Sequence, residues 1–126
     1  GAMTLSYIHA TCGAVSAGCG AGAGIAYLLG GDYRAIAHTI VNAVAILSGT
    51  ICDGAKPSCA AKIASAVEAG ILGYYMYVND QQFRGGDGIV AKGVENTIRN
   101  VGLLASQGMK QTDRVILNIM TGDQCL

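Results

Sequence analysis

The stretch Tyr33-Arg34-Ala35-Ile36-Ala37-His38-Thr39-Ile40-Val41-Asn42-Ala43-Val44-Ala45-Ile46-Leu47-Ser48-Gly49-Thr50-Ile51 places Ile36, Ile40, Val44, Leu47 and Ile51 at spacings of three and four. That is the period of a helix face and not of a strand. It predicts a helix from about Tyr33 to about Ile51, with Asp32 as its N-cap and Cys52 delivered at its C-terminal end. Upstream, Gly30-Gly31 closes a Gly/Ala-rich segment whose last turn is Ile25 to Leu29. Downstream, Asp53-Gly54-Ala55-Lys56-Pro57-Ser58 reads as a turn, with Pro57 or Ser58 opening the next helix. That helix carries Cys59 in its first turn and runs on Ile63, Val67, Ile71 and Leu72 towards Tyr77.

Residues 79–88 are polar and Gly-rich, a loop. A further helix is predicted from about Lys92 to Ser106 on Val94, Ile98, Val101 and Leu104 or Ala105, stopped by Gly108. Thr112 then opens a last short helix, Asp113 to Met120, with Gly122 after it. Alternation of period two is missing throughout. The expected fold is therefore all-α, a compact bundle of four to six helices joined by short loops. In the run Cys19-Gly20-Ala21-Gly22-Ala23-Gly24, close helix packing explains small residues better than a linker does.

Composition limits the function classes. The chain has 126 residues, 52% of them apolar, 13% charged, with a formal net charge of +0. No basic stripe is available for nucleic acid. Residues 13–31 and 35–52 lack formal charges, but the first is mostly Gly and Ala, the second carries His38, Thr39, Asn42 and Ser48, and neither has Lys/Arg or aromatic flanks, so no membrane span is expected. Gly1-Ala2-Met3 reads as an expression scar before a single helical domain, 4–126; no signal peptide is visible and a cytoplasmic location is expected. A chain that begins directly in Tyr7-Ile8-His9-Ala10-Thr11-Cys12 is expected to be one domain of a longer protein, whose remaining part would cover apolar surface.

Five cysteines, Cys12, Cys19, Cys52, Cys59 and Cys125, carry the chemistry. No pair has the short spacing of a zinc knuckle, and the chain is too apolar for a small secreted disulfide scaffold. Free thiols filling a helical core as small hydrophobes account equally well for the composition alone. Placement argues otherwise for Cys52 and Cys59, because they flank one inter-helix turn and can converge from either side of it. Cys12 could supply a third thiolate. Three thiolates without a fourth suggest an iron–sulfur cluster with one iron left open as a Lewis acid.

The string Cys52-Asp53-Gly54-Ala55-Lys56-Pro57-Ser58-Cys59-Ala60, with Cys12-Gly13-Ala14-Val15-Ser16-Ala17-Gly18-Cys19-Gly20 forty residues before Cys52, resembles the serine dehydratase alpha-chain family, in its L-cysteine desulfidase branch. Gly86-Asp87-Gly88-Ile89-Val90, Val94-Glu95-Asn96-Thr97-Ile98-Arg99, Gly102 and Gly108-Met109 extend the likeness, which covers about Ser6 to Met120 and corresponds to the C-terminal part of the full-length family protein. The resemblance implies an oxygen-sensitive 4Fe-4S lyase without pyridoxal phosphate, its cluster held by Cys12, Cys52 and Cys59 and liable to loss in an aerobically prepared sample. The reaction implied is conversion of L-cysteine to pyruvate, ammonia and hydrogen sulfide, or of L-serine to pyruvate and ammonia. In the iron–sulfur serine dehydratases the second interval is longer and ends in a proline-cysteine pair, so Cys-x6-Cys favours the desulfidase branch. In the family, residues for the base and the substrate amino group come partly from the N-terminal portion, so this piece alone is expected to be inactive.

Other candidates stand beside the cysteines. Asp53 and Lys56 read as second-sphere or substrate groups, or as a turn-former and a solvated charge. Asn42 reads as a hydrogen-bond donor to cluster or substrate, or as a buried packing amide. Cys19 reads as a packing thiol, His38 as a partly buried helical histidine, Gly86-Asp87-Gly88 as a plain loop, and Ser16 has no His/Asp arrangement to activate it. His9 and Cys125 receive no role. The implied partners are a small amino-acid substrate and the N-terminal part of the same protein. A homo-oligomer is compatible with the sequence. The competing class is a non-catalytic helical interaction domain.

Overall fold

The computed structural model describes residues 13–122 of the chain. Five α-helices follow in order: α1 (Gly13–Leu28), α2 (Tyr33–Leu47), α3 (Ser58–Val78), α4 (Val94–Leu103) and α5 (Lys110–Thr121), with a π-helical turn, Leu104–Gly108, between the last two. Among the described residues there is no β-strand, as the helical spacings required. None of these helices is long and apolar enough to cross a membrane. Helices α1, α2 and α3 pack on one another pairwise, α1 against α3 most extensively, while α4 leans on α2.

Caps set the boundaries. The Gly31 N–H donates to the Ala26 carbonyl oxygen at 2.8 Å across the end of α1, and Gly30 takes the positive φ (+84°) that lets the chain reverse. The Asp32 carboxylate then accepts from the Ala35 N–H at 2.9 Å, opening α2. Pro57 precedes the first residue of α3, and Gly122, at φ +76°, ends α5. Several predicted ends move, α4 running Val94–Leu103 and not Lys92 to Ser106, with a π-helical turn after it. Helix α2 stops at Leu47, four residues short of Ile51, because Ser48 and Gly49 turn the chain and the Thr50 N–H closes back on the Leu47 carbonyl at 3.1 Å. Cys52 therefore lies in the irregular segment after the helix and not on it. Helix α5 starts at Lys110, earlier than Asp113, since the Met109 carbonyl already accepts from the Asp113 N–H at 2.8 Å.

The contact surface differs from the predicted apolar face. Ile36, Ile40 and Leu47 are only half-buried, and α2 buries Ala35, Thr39, Val41, Asn42, Ala43 and Val44. Helix α3 buries Ala66, Ala69, Gly70 and Gly73. The cause is close approach by α3: a Cβ at Gly73 would meet the Thr39 carbonyl oxygen of α2 at 2.9 Å, one added at Gly22 would meet the Gly70 Cα at 2.6 Å, and one at Gly18 would collide with Ala66. Backbones this close leave room only for glycine and alanine at the seam.

Polar anchors fix the register. Asn42, Thr39 and Thr97 are the largest fully buried side chains among the described residues. The Asn42 amide donates to the Gly73 carbonyl oxygen at 3.0 Å and accepts from the Phe83 N–H at 3.1 Å, tying α2 to α3 and to the loop that follows. The Thr97 hydroxyl accepts from the Ala91 N–H at 3.1 Å, fixing that loop where it enters α4.

Candidate functional site

The turn between α2 and α3 is built by Gly54 and Pro57. Gly54 holds φ +98°, a backbone state that a side chain would strain, and the Met120 methyl of α5 packs over it, 3.1 Å from where a Cβ would stand. Cys52 and Cys59 are both free and half-buried at the two ends of this turn. The Cys59 thiol points back into it, 3.7 Å from the Gly54 carbonyl oxygen. Beside the turn opens a pocket of about 400 Å³, walled by Val15 of α1, Leu47 of α2, Thr50, and Ser58, Ala61, Lys62 and Ser65 of α3. Its wall is mostly apolar, with Thr50, Ser58, Lys62 and Ser65 as the polar residues on it.

Electrostatically the turn is a small ion cluster. Asp53 pairs with Lys56 through one carboxylate oxygen and with Lys62 through the other, at 3.3 Å. The Lys56 hydrogen bond first, and the Lys62 bond after it, hold the Asp53 carboxyl below the usual carboxylate range. Asp53 is consequently an ionised acceptor, which suits orientation of the turn and not donation of a proton. Lys62 also donates to the Ile51 carbonyl oxygen at 3.0 Å. Sequence reading gave Lys62 no role, although it stands three residues after Cys59, one helical turn along the same side of α3.

Soft thiolates on a turn are a suitable donor set for iron–sulfur or zinc chemistry. Among the described residues, no group of three or more His, Cys, Asp and Glu side chains gathers to hold a metal ion. Cys52 and Cys59 place two free thiols at the turn. Cys12, with His9 and Cys125, lies outside the described residues.

The remaining candidates stand apart from the turn. Gly73, which receives the Asn42 amide, is fourteen residues along α3 from Cys59, about 21 Å at 1.5 Å per residue. Asn42 is therefore not brought to the cysteines, and both ends of its amide are engaged by backbone. His38 stacks on Tyr77 with ring centroids 5.3 Å apart, at the far end of α3; burial, and then the Arg34 charge, hold its imidazole below the ordinary value. Cys19 is buried on α1 against Ala43 and Val44, and burial pushes its thiol up to about 11. It is a packing thiol. Asp87 accepts from the Arg84 N–H at 2.7 Å and so closes its own loop. Ser16 is exposed on α1.

Comparison with known proteins gives the wider setting. The family model of the serine dehydratase alpha chain matches residues 2–118. A UPF0597 protein of Desulfitobacterium hafniense is 70% identical over 118 residues, covering 94% of this chain and 27% of its own length. One from Finegoldia magna is 54% identical over 113 residues, covering 90% and 27%. One from Bacteroides fragilis is 42% identical over 123 residues, covering 98% and 29%. The chain thus spans little more than a quarter of the length of these relatives. No solved structure matches it.

Proposed function

The chain belongs to the serine dehydratase alpha chain family, and on that premise we propose that it is the cluster-binding part of a pyridoxal-phosphate-independent lyase acting on L-cysteine. The overall reaction is L-cysteine and water to pyruvate, ammonia and hydrogen sulfide. The alternative within the same chemistry is L-serine to pyruvate and ammonia. The observation that carries the reading is the placement of two half-buried free thiols at the ends of one turn, beside a pocket whose wall includes Thr50, Ser58 and Ser65.

Cys52 and Cys59, with Cys12, would hold a 4Fe-4S cluster. When bound, such a cluster supplies an open iron, a Lewis acid for a leaving group. The chain's own residues do the rest of what this part can do. Thr50, Ser58 and Ser65 offer hydrogen bonds to a small polar substrate at the pocket wall, and Leu47 and Val15 exclude water from one side of it. Asp53, ionised and committed to two ammonium groups, orients the turn. Residues for the base that takes the α-proton and for the substrate amino group come partly from the remaining part of the full-length protein, which also covers Tyr27, Leu28, Leu29 and Tyr33, 55–82% exposed here.

Those exposed side chains are also what favours the second reading, a non-catalytic helical domain that binds a partner. Anaerobic reconstitution with iron and sulfide separates the two. A brown protein with visible cluster absorption, abolished by Cys52→Ser or Cys59→Ser, is expected; a colourless one points to the interaction domain. The reconstituted chain by itself is expected to release neither pyruvate nor hydrogen sulfide, and appreciable release would overturn the division of labour between the two parts.

A further inference from the structure

Lys62 stands on the first turn and a half of α3, three residues beyond Cys59. Its ammonium donates to the Ile51 carbonyl oxygen at 3.0 Å and to the Asp53 carboxylate at 3.3 Å. Those are the two residues on either side of Cys52. One side chain thus ties both flanks of one thiol residue to the helix that carries the other. The segment it holds lies outside the helices, so its path is not fixed by a helical hydrogen-bond ladder. Lys56 pairs with the second Asp53 oxygen from inside the same turn and so does not bridge turn to helix.

We infer that Lys62 is a positioning residue for Cys52: by holding the Ile51 carbonyl and the Asp53 carboxylate it sets where the Cys52 thiol stands relative to that of Cys59. The inference rests on the reading of these two thiols as a ligand pair, and adds the residue that determines their mutual placement. Groups behind a ligand, which fix its orientation without touching what it binds, are commonly worth 10–100-fold in affinity. Lys62 has that position. A charge with three donors suits the task, since it can serve a carbonyl and a carboxylate at once.

The test needs no cluster. In the 126-residue chain carrying Cys12→Ser, Cys19→Ala and Cys125→Ser, Cys52 and Cys59 are the remaining thiols. A monosubstituted trivalent arsenical is the probe: from its dihydroxy form two As–S bonds form and two water molecules leave, so capture requires both thiols to meet at one atom. Lys62→Met is expected to weaken capture by at least about 10-fold with helical circular dichroism unchanged. Lys62→Arg, which keeps the charge and the reach, is expected to return it to within about 3-fold of the parent background. A folded Lys62→Met that captures as tightly as the parent overturns the proposal, and so does a folded parent that captures nothing. Should Lys62→Met fail to fold, Asp53→Ala removes one of the two anchors; unchanged capture by that variant then overturns it. Reconstitution keeps the two ideas separate. A brown protein with Lys62-independent capture sinks the positioning role alone, whereas a colourless protein with Lys62-dependent capture supports it and sinks the cluster reading.

Discussion

Where α1 crosses α3 the contact is backbone on backbone, and where α5 follows the π-helical turn almost nothing is covered. Gly18, Gly22, Ala66 and Gly70 make the first contact, and all are buried. Helix α5 has a sequence with a clear apolar side, yet none of its residues is buried, and Val115, Leu117, Ile119 and Met120 are 47–63% exposed. Size and burial are thus inverted between the two regions. The smallest residues form the interior, and many of the large apolar ones stand outside. The difference teaches that this helical core is held by close approach and polar anchors, with area burial by large side chains a lesser contributor.

The largest expected effect comes from blocking that approach. Gly22→Val puts a branched side chain where even a Cβ would sit 2.6 Å from the Gly70 Cα. The helices must separate along the seam, and the loss should be about 3 kcal/mol or more. Urea unfolding followed by circular dichroism measures it. A loss under about 1 kcal/mol would mean that α1 and α3 are not in backbone contact in solution.

Next comes the buried amide. Asn42→Ala leaves the Gly73 carbonyl and the Phe83 N–H without their partner in a site closed to solvent. An unsatisfied buried group costs about 1–3 kcal/mol, so a loss of about 2 kcal/mol is expected in the same unfolding measurement. Because the amide is remote from Cys59, metal or arsenical capture by Cys52 and Cys59 should stay as it was. A variant that kept its stability and lost capture would reverse the assignment of Asn42 from anchor to site residue.

How far the sequence reaches follows the same division. Helix positions were legible because Ile and Val recur at helical spacing and because Asp32, Gly30, Pro57 and Gly122 punctuate them, and each of these occupies the cap or turn expected of it. The buried face of α2 was not. Ile36, Ile40 and Leu47 define the apolar stripe, but Gly73 lets α3 approach at Thr39 and Asn42, and a glycine-made contact leaves no hydrophobic period to read. The turn between Cys52 and Cys59 was legible from its Asp-Gly and Lys-Pro-Ser string. Lys62 was not, since its partners Ile51 and Asp53 lie nine to eleven residues back and meet it only once the chain has reversed. A lysine on a helix otherwise reads as a solvated charge.

The smallest effect is expected at the other pole of the comparison. Leu117 of α5 is 59% exposed. Leu117→Ser therefore gives up little buried area, and the change in intrinsic helix propensity is about 0.3 kcal/mol. The total should stay within about 0.5 kcal/mol, against several times that for a single glycine at the seam. The pair of measurements isolates the principle, because the larger and more apolar side chain is the one whose removal hardly matters. A loss above about 1.5 kcal/mol at Leu117 would place the α5 stripe in a buried contact, and sedimentation decides whether that contact is between copies of the chain or within one. For a contact between copies, sedimentation over a range of concentrations would show association by the parent and not by Leu117→Ser. If both chains instead sediment as monomers and the loss persists, the apolar side of α5 packs onto its own chain, and the contrast with the α1–α3 seam fails.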